Sequence, residues 1–421
     1  MPPTRTLVLK NVPVPGGRVA DITVQDGIVV HAGAGLAPDQ EIDCRGLFVL
    51  PAAVDMHVHM RGGTQGAKED WASGSRSALA GGVTVVVDQP NTVPPLTGPD
   101  TLRARILDAR DKSVCSFAIN SGVTFDTPLS AMWSAGVMAF GETFVAPSSY
   151  GDAITPQELE SALRTIQSFG GLATIHAEEA APGTDGDLRS HDRLRPIDGE
   201  IRAVEAVQRC NAAGCRLHFC HMSSASSVLA ARTAGSVEAT PHHLFLSHEL
   251  FSPQDAYGKV NPPLRSERER KHLWSAWDRI DVVASDHAPH TPAEKERPFA
   301  EAPAGIPGVE TMVPLLLAQV IEHRITLPSV IQKTSTAPAE LLGIPKAGFA
   351  PGDRGDFALY PRQAEPLDPT RLHSRCGFSP FEGQQAVLPR TVILGGDVVY
   401  DQGEFLPGSP AWFPGRGYYP L

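Results

Sequence analysis

Four short stretches of this chain carry residues that could do metal chemistry. In Val54-Asp55-Met56-His57-Val58-His59-Met60-Arg61, polar and apolar side chains alternate. On a β-strand, residues two apart point the same way, so Asp55, His57, His59 and Arg61 are expected to share one face. Two imidazoles at that spacing can chelate one metal ion, and a face carrying them belongs at the mouth of a site. His176 ends the run Ala173-Thr-Ile-His176, and His221 ends Leu217-His-Phe-Cys-His221. Asp286 follows Val282-Val-Ala-Ser285. Taken singly, each His could be an ordinary solvated or packed histidine, and Asp286 could merely cap a turn. Together they are the inventory of a two-metal centre, and imidazole nitrogen with carboxylate oxygen suits zinc.

Side chains so far apart in sequence need a scaffold that brings them together. Between about residues 51 and 346, strand-like runs alternate with helix-like ones such as Leu102–Lys112, Thr155–Phe169 and Gly199–Ala213. The strands are expected near 54–58, 84–88, 114–119, 137–140, 173–176, 217–221, 237–240 and 282–285. About eight β-then-α units imply an α/β fold of TIM type, a (β/α)8 barrel, with its chemistry at the C-terminal ends of the strands. His57, His59, Asn91, Glu142, His176, His221 and Asp286 all fall at or just past such an end. Residues 1–50 and 347–421 are instead rich in short β runs with turn signals such as Pro15-Gly16-Gly17 and Asp26-Gly27. The expected division is 1–50 as the first part of a small β-sandwich, 51–346 as the barrel, and 347–421 as the rest of the sandwich plus a Pro/Gly-rich tail.

A net charge of −11 and the lack of any basic run argue against nucleic acid as a partner. No apolar run approaches the length of a membrane span, and no signal-peptide pattern is present, so a cytoplasmic protein is expected. The six cysteines form no C-x-x-C pair, and Cys210, Cys215 and Cys220 read as packing residues rather than a zinc finger.

The order of motifs resembles the cyclic-amidohydrolase superfamily, and within it the dihydroorotases. The resemblance rests on Asp55-Met-His-Val-His-Met-Arg61, Lys68-Glu-Asp-Trp-Ala-Ser-Gly-Ser75, Ala80-Gly-Gly-Val-Thr84 and Gln89-Pro-Asn-Thr-Val-Pro-Pro95. It continues through Arg195-Pro196, His218-Phe-Cys-His-Met-Ser-Ser224, Thr240-Pro-His-His-Leu244 and Lys259-Val-Asn-Pro-Pro-Leu-Arg265. Ser285-Asp-His-Ala-Pro-His-Thr291, Gly305-Ile-Pro-Gly308 and Ser379-Pro-Phe-Glu-Gly383 complete it, from about residue 45 to 405. The resemblance implies reversible cyclisation of N-carbamoyl-L-aspartate to L-dihydroorotate, a step of pyrimidine biosynthesis. The implied chemistry is attack of a zinc-held hydroxide on a cyclic amide, with two zinc ions per chain, or one. It assigns His57, His59 and Asp286 to one metal and His176 and His221 to the other. Asp286 would also take the proton of the attacking hydroxide and pass it to the leaving nitrogen. Arg61, Asn91 and His290 are implied to hold the substrate carboxylate, and Asn261 with the backbone of Ala304 and Gly305 the ring amides. His242 and His243 are expected to support the site rather than to bind metal.

The chain departs from the family pattern in one respect. Many members bridge their metals with a carboxylated lysine after the fourth strand, and this sequence has no lysine between Lys112 and Lys259. Glu142, in Ala139-Phe-Gly-Glu142, is the expected bridging carboxylate, with Asp152 as the alternative. If Glu142 were only a solvated loop residue, one metal would remain. The rival readings are an allantoinase or hydantoinase, and a non-catalytic subunit of an aspartate carbamoyltransferase complex. Expected partners are a small-molecule substrate, further copies of the chain and an aspartate carbamoyltransferase.

Overall fold

The computed structural model describes residues 5–14, 17–30, 38–145 and 154–419. The expected turn at Pro15-Gly16 and the alternative bridging residue Asp152 lie outside them. The centre of the fold is a ring of parallel strands: β1 (Ala53–Val58), β2 (Val83–Asp88), β3 (Ser116–Ile119), β4 (Phe140–Phe144), β5 (Leu172–His176), β6 (Arg216–Phe219), β7 (Ser236–Ala239) and β8 (Val282–Val283). Hydrogen bonds run continuously from β1 to β3 and from β4 to β8. Parallel bridges Ser121–Phe140 and Val58–His287 join the two runs and close the barrel. The strands are buried on both faces, which explains why β2 reads as an unbroken apolar run rather than an alternating one.

Helices between the strands begin where the sequence supplies caps. Asp70 and Ser73 form a capping box at Trp71–Ala80, and Thr155 with Glu158 does the same at Pro156–Ser168. The helix expected over 199–213 runs instead over Ile197–Cys210 and stops at Asn211.

Two details differ from the sequence-based expectation, and both bear on the site. β4 does not span 137–140; it begins at Phe140 and places Glu142 inside the strand, not past its end. Val137–Ala139 is an apolar lead-in, fully covered, that follows the left-handed helix cap at Gly136. The β4–β5 register shifts between Phe140 and Thr143, opposite Ala173 and Ile175, and such an irregularity re-aims a side chain at a barrel rim. Second, β1 ends at Val58, so the pleat does not carry Arg61 onto the face of His57. Arg61 adopts a left-handed conformation (φ 45°) and reaches the mouth through that turn.

The terminal segments build two antiparallel-rich sheets. One contains Thr6–Val14, Arg18–Gln25, Ile28–Val30 and Gln40–Asp43; the other combines Leu47–Pro51 with Phe357–Pro361, Thr391–Leu394, Asp397–Asp401 and Glu404–Phe405. They share a core that includes Leu9, Val24, Val49, Phe357 and Ile393. The tail packs on the barrel, where Phe117 N donates to Ala411 O and Phe413 N to Phe117 O. Among the described residues, no helix is long and apolar enough to cross a membrane.

Candidate metal centre and substrate cavity

The C-terminal ends of β1, β4, β5, β6 and β8 bring His57, His59, Glu142, His176, His221 and Asp286 into one buried cluster. Glu142 lies at its middle. Its Oε1 is 3.1 Å from His176 Nδ1 and 2.9 Å from His221 Nε2, and its Oε2 is 3.6 Å from His57 Nε2. Asp286 Oδ1 is 3.0 Å from His59 Nε2 and 3.5 Å from His57 Nε2. Thus one carboxylate faces His59 and His57, the other faces His176 and His221, and Glu142 also reaches back toward His57. His57 Nε2 is buried with no hydrogen-bond partner, although two carboxylate oxygens stand just beyond bonding distance. A buried nitrogen left unmatched among acceptors fits a cation better than a proton.

A second layer sets which nitrogen of each imidazole faces this cluster. His57 Nδ1 pairs with Glu238 Oε1 at 3.0 Å, His59 Nδ1 with Asn91 Oδ1 at 2.6 Å, and His176 Nε2 with Glu178 Oε2 at 3.4 Å. Each acceptor draws the ring proton outward and leaves the inner nitrogen free to ligate. Glu238 also accepts from His221 N at 3.0 Å, and its other oxygen meets His218 Nε2 at 3.2 Å. It therefore anchors two proposed ligand residues at once. Asp55 sits beneath, fully buried, accepting from Ser285 N at 3.0 Å and His57 N at 3.3 Å, so it braces the loop of Asp286 against β1. His221 and Asp286 both hold positive φ (38° and 45°), like Arg61, and strained backbone of this kind concentrates at functional sites.

Sequence reasoning missed Glu238 and Glu178. The signal for Glu238 was present: an acidic residue inside Ser236-Val-Glu-Ala239, a strand otherwise suited to the core. His242 and His243 do not join the cluster of ligand atoms; His243 spans Thr240 Oγ1 and Pro262 O, at 2.8 and 3.0 Å. Cys210, Cys215 and Cys220 are free thiols. Cys220 lies beside His57 and Glu238, but burial and then Glu238 push its thiol up to about 12, which keeps it protonated.

The electrostatics follow from the crowding. Burial opposes ionisation of Asp286 and Glu142, yet the surrounding imidazoles outweigh it and hold both carboxyls below the usual range. His57 is raised well above its ordinary value: burial acts against its charge, but Glu238, Glu142 and Asp286 prevail. His176 rises to about 9, burial being outweighed by Glu142 and Glu178. In the folded metal-free protein His176 thus binds its proton more tightly than in the unfolded chain, where its value is 6.5. That contribution to stability is complete below 6.5 and is lost as pH rises through about 9. The melting temperature of chelator-stripped protein is expected to fall across this window, and added zinc to remove the fall, since bound metal replaces the proton. Scanning calorimetry at several pH values with and without zinc tests this.

The cluster opens into a cavity of about 600 Å³. All six residues expected to contact substrate line it: Arg61, Asn91, Asn261, His290, Ala304 and Gly305. Arg61 is buried, with Nε 3.4 Å from Pro289 O and Nη2 3.4 Å from His290 Nε2. His290 Nε2 is 3.1 Å from Ala304 O. Asn261 Oδ1 meets His191 Nε2 at 2.9 Å, which orients the amide. Gly305 (φ 147°) leaves room that a Cβ would take from Ala288 O and from the His290 ring, 2.9 Å away. The cavity is lined by Glu142 and Asp286 at the ligand cluster, by Arg61, Lys68 and His290 on the wall next to Asp286, and by Arg195 near Glu178.

Residues 48–399 match the amidohydrolase family. A dihydroorotase of Methanosarcina acetivorans is 38% identical, over 93% of this chain and 92% of that protein. A dihydroorotase of Halobacterium salinarum is 38% identical, over 94% and 96%. Among solved structures, an L-hydantoinase (dihydropyrimidinase) from Arthrobacter aurescens superposes with a TM-score of 0.87 at 26% identity, covering 95% of this chain and 97% of that one. A dihydropyrimidinase from Brevibacillus agri gives 0.88 at 23% identity, covering 99% and 100%, a likeness of fold.

Proposed function

We propose that this chain, which belongs to the amidohydrolase family and to its dihydroorotases, interconverts N-carbamoyl-L-aspartate and L-dihydroorotate. The observation that carries the reading is the pairing of a buried His/Asp/Glu cluster with a cavity whose wall presents Arg61 and His290 beside it. Dihydroorotate is a cyclic amide bearing a free carboxylate, and the cluster and that wall match its two parts. A planar guanidinium suits a carboxylate, whereas a hydantoin or allantoin ring offers none there.

The donor set suits two zinc ions: His57, His59 and Asp286 would hold one, His176 and His221 the other, and Glu142 would serve both. Bound there, zinc supplies the positive charge that acidifies water and polarises a carbonyl. The remaining work falls to the protein. Asp286, held ionised, accepts the proton of the attacking water and returns it to the ring nitrogen as that leaves. Arg61, Asn91 and His290 hold the carboxylate and so fix the amide carbon over the cluster. Asn261 and the backbone at Ala304 and Gly305 pair with the ring amides. Glu238, Asn91 and Glu178 keep the imidazoles in the ligating tautomer.

Purified protein supplied with zinc is expected to close N-carbamoyl-L-aspartate and open dihydroorotate. Equal or faster turnover of allantoin or hydantoin would reject the reading. Arg61→Ala is expected to raise KM for dihydroorotate by roughly 10²-fold, the scale of a lost charge-assisted contact, as steady-state kinetics would show. The retained His and Asp cluster also favours an enzyme over a non-catalytic subunit of an aspartate carbamoyltransferase complex. We place the protein in the cytoplasm, as a homo-oligomer to be probed by gel filtration for association with that transferase. The domain division we propose is 1–50, 51–346 and 347–421.

A further inference from the structure

We propose that Lys68 is a substrate-selectivity residue, the second cation on the cavity wall beside Arg61 and, with Ala304 O, a group that fixes the tautomer of His290. This inference rests on the dihydroorotase reading and extends it to a residue with no role assigned above. Lys68 belongs to the loop between β1 and the helix Trp71–Ala80. That loop is closed at its base by Gly62 N donating to Glu69 O at 3.0 Å, and Lys68 N donates to Gln65 O at 2.9 Å. The closure turns Arg61, Gln65 and Lys68 inward, so that one loop supplies three side chains to the cavity wall. Gln65 Oε1 is buried there without a hydrogen-bond partner, which leaves a polar acceptor available to a ligand.

Lys68 Nζ lies 3.3 Å from His290 Nδ1 and 2.9 Å from Glu294 Oε1. An ammonium has only donors, so Nδ1 must accept, and the single proton of neutral His290 resides on Nε2. That nitrogen donates to Ala304 O at 3.1 Å, the acceptor that decides between the two ring nitrogens, so Arg61 Nη2, 3.4 Å away, is a second donor beside it and not its hydrogen-bond partner. Burial, Arg61 and Lys68 together hold His290 neutral. The three groups therefore form a fixed array of N–H donors, with Arg61 and Lys68 charged and His290 neutral between them. Three carboxylates act on Arg61: Asp286, which faces His59 and His57 in the ligand cluster, Asp88, which is paired with Arg105 at 2.8 Å, and Glu294, which is paired with Lys68 at 2.9 Å. The surplus cation favours an anionic substrate over a neutral ring of the same shape.

The test compares wild type, Lys68→Met, Lys68→Gln and Lys68→Arg, each loaded with zinc and assayed for metal content. KM and kcat are measured with dihydroorotate, and inhibition constants with orotate and with uracil, its carboxylate-free counterpart. We expect Lys68→Met and Lys68→Gln to raise KM by about 10- to 100-fold with kcat much less affected. The preference for orotate over uracil should shrink by a similar factor, and Lys68→Arg should recover most of it. A merely structural role would lower metal content and kcat and weaken both inhibitors alike; that result overturns the proposal, as does an unchanged KM. If wild type fails to process dihydroorotate at all, the functional reading itself falls and takes this inference with it.

Discussion

Replacing Glu142 with Ala is expected to reduce bound metal from near two per chain to one or fewer, and to lower kcat/KM by at least about 10³-fold. The expectation follows from position. Among the described residues, Glu142 is the carboxylate whose two oxygens face both halves of the cluster, Oε1 toward His176 and His221 and Oε2 toward His57. Removing it leaves the inner nitrogens of His176 and His221 with no carboxylate facing them, and two neutral nitrogens hold a divalent cation poorly. It also leaves His57 with one fewer carboxylate neighbour. Metal quantitation by mass spectrometry after gel filtration reads the first effect, and steady-state kinetics the second. Unchanged metal content would remove Glu142 from the bridging role. Circular dichroism should show an intact fold, because the barrel is closed by backbone pairing that the side chain does not make.

Asp286→Asn is expected to lower kcat by about 10⁴-fold or more while the protein remains folded. The substitution keeps size and leaves an amide oxygen near His59, but removes the charge and the basicity on which proton transfer depends. General-base removal accounts for about 10²–10⁴-fold, and loss of an anionic ligand adds to it. Since the surrounding imidazoles hold Asp286 below the usual carboxylate range, its protonation should not limit wild-type activity above about pH 4, and the loss in the variant should be uniform above that pH. A variant within tenfold of wild type would exclude Asp286 as the proton carrier.

Much of this architecture could be read from the chain because β-strands and barrels write short-range signals. The His57/His59 pair is visible since a strand repeats every two residues, and the βα alternation is visible since buried parallel strands are continuously apolar. The helix-like segment Thr155–Phe169 lies within a residue of the observed helix Pro156–Ser168. The same local logic failed where geometry departs from the regular repeat. Extending the alternation as far as Arg61 assumed a pleat that stops at Val58, and the left-handed turn is a product of packing around β1 and β8. Placing β4 over 137–140 followed apolarity, which cannot distinguish a buried lead-in from a strand; the register against β5 decides that.

What the sequence by itself determined is the set of groups and the scaffold: His57, His59, His176, His221 and Asp286 near strand ends, a barrel to gather them, and a glutamate where a lysine would be expected. Only the tertiary structure decided how they work as a unit. That Glu142 stands between the imidazoles, that Glu238 orients His57 while gripping the backbone of His221, and that Lys68 fixes His290 are contacts across 34, 181 and 222 residues of chain. Such pairings leave no periodic trace, because nothing in the local propensity of a glutamate or lysine encodes its distant partner. They exist only once barrel closure has brought the strand ends onto one rim.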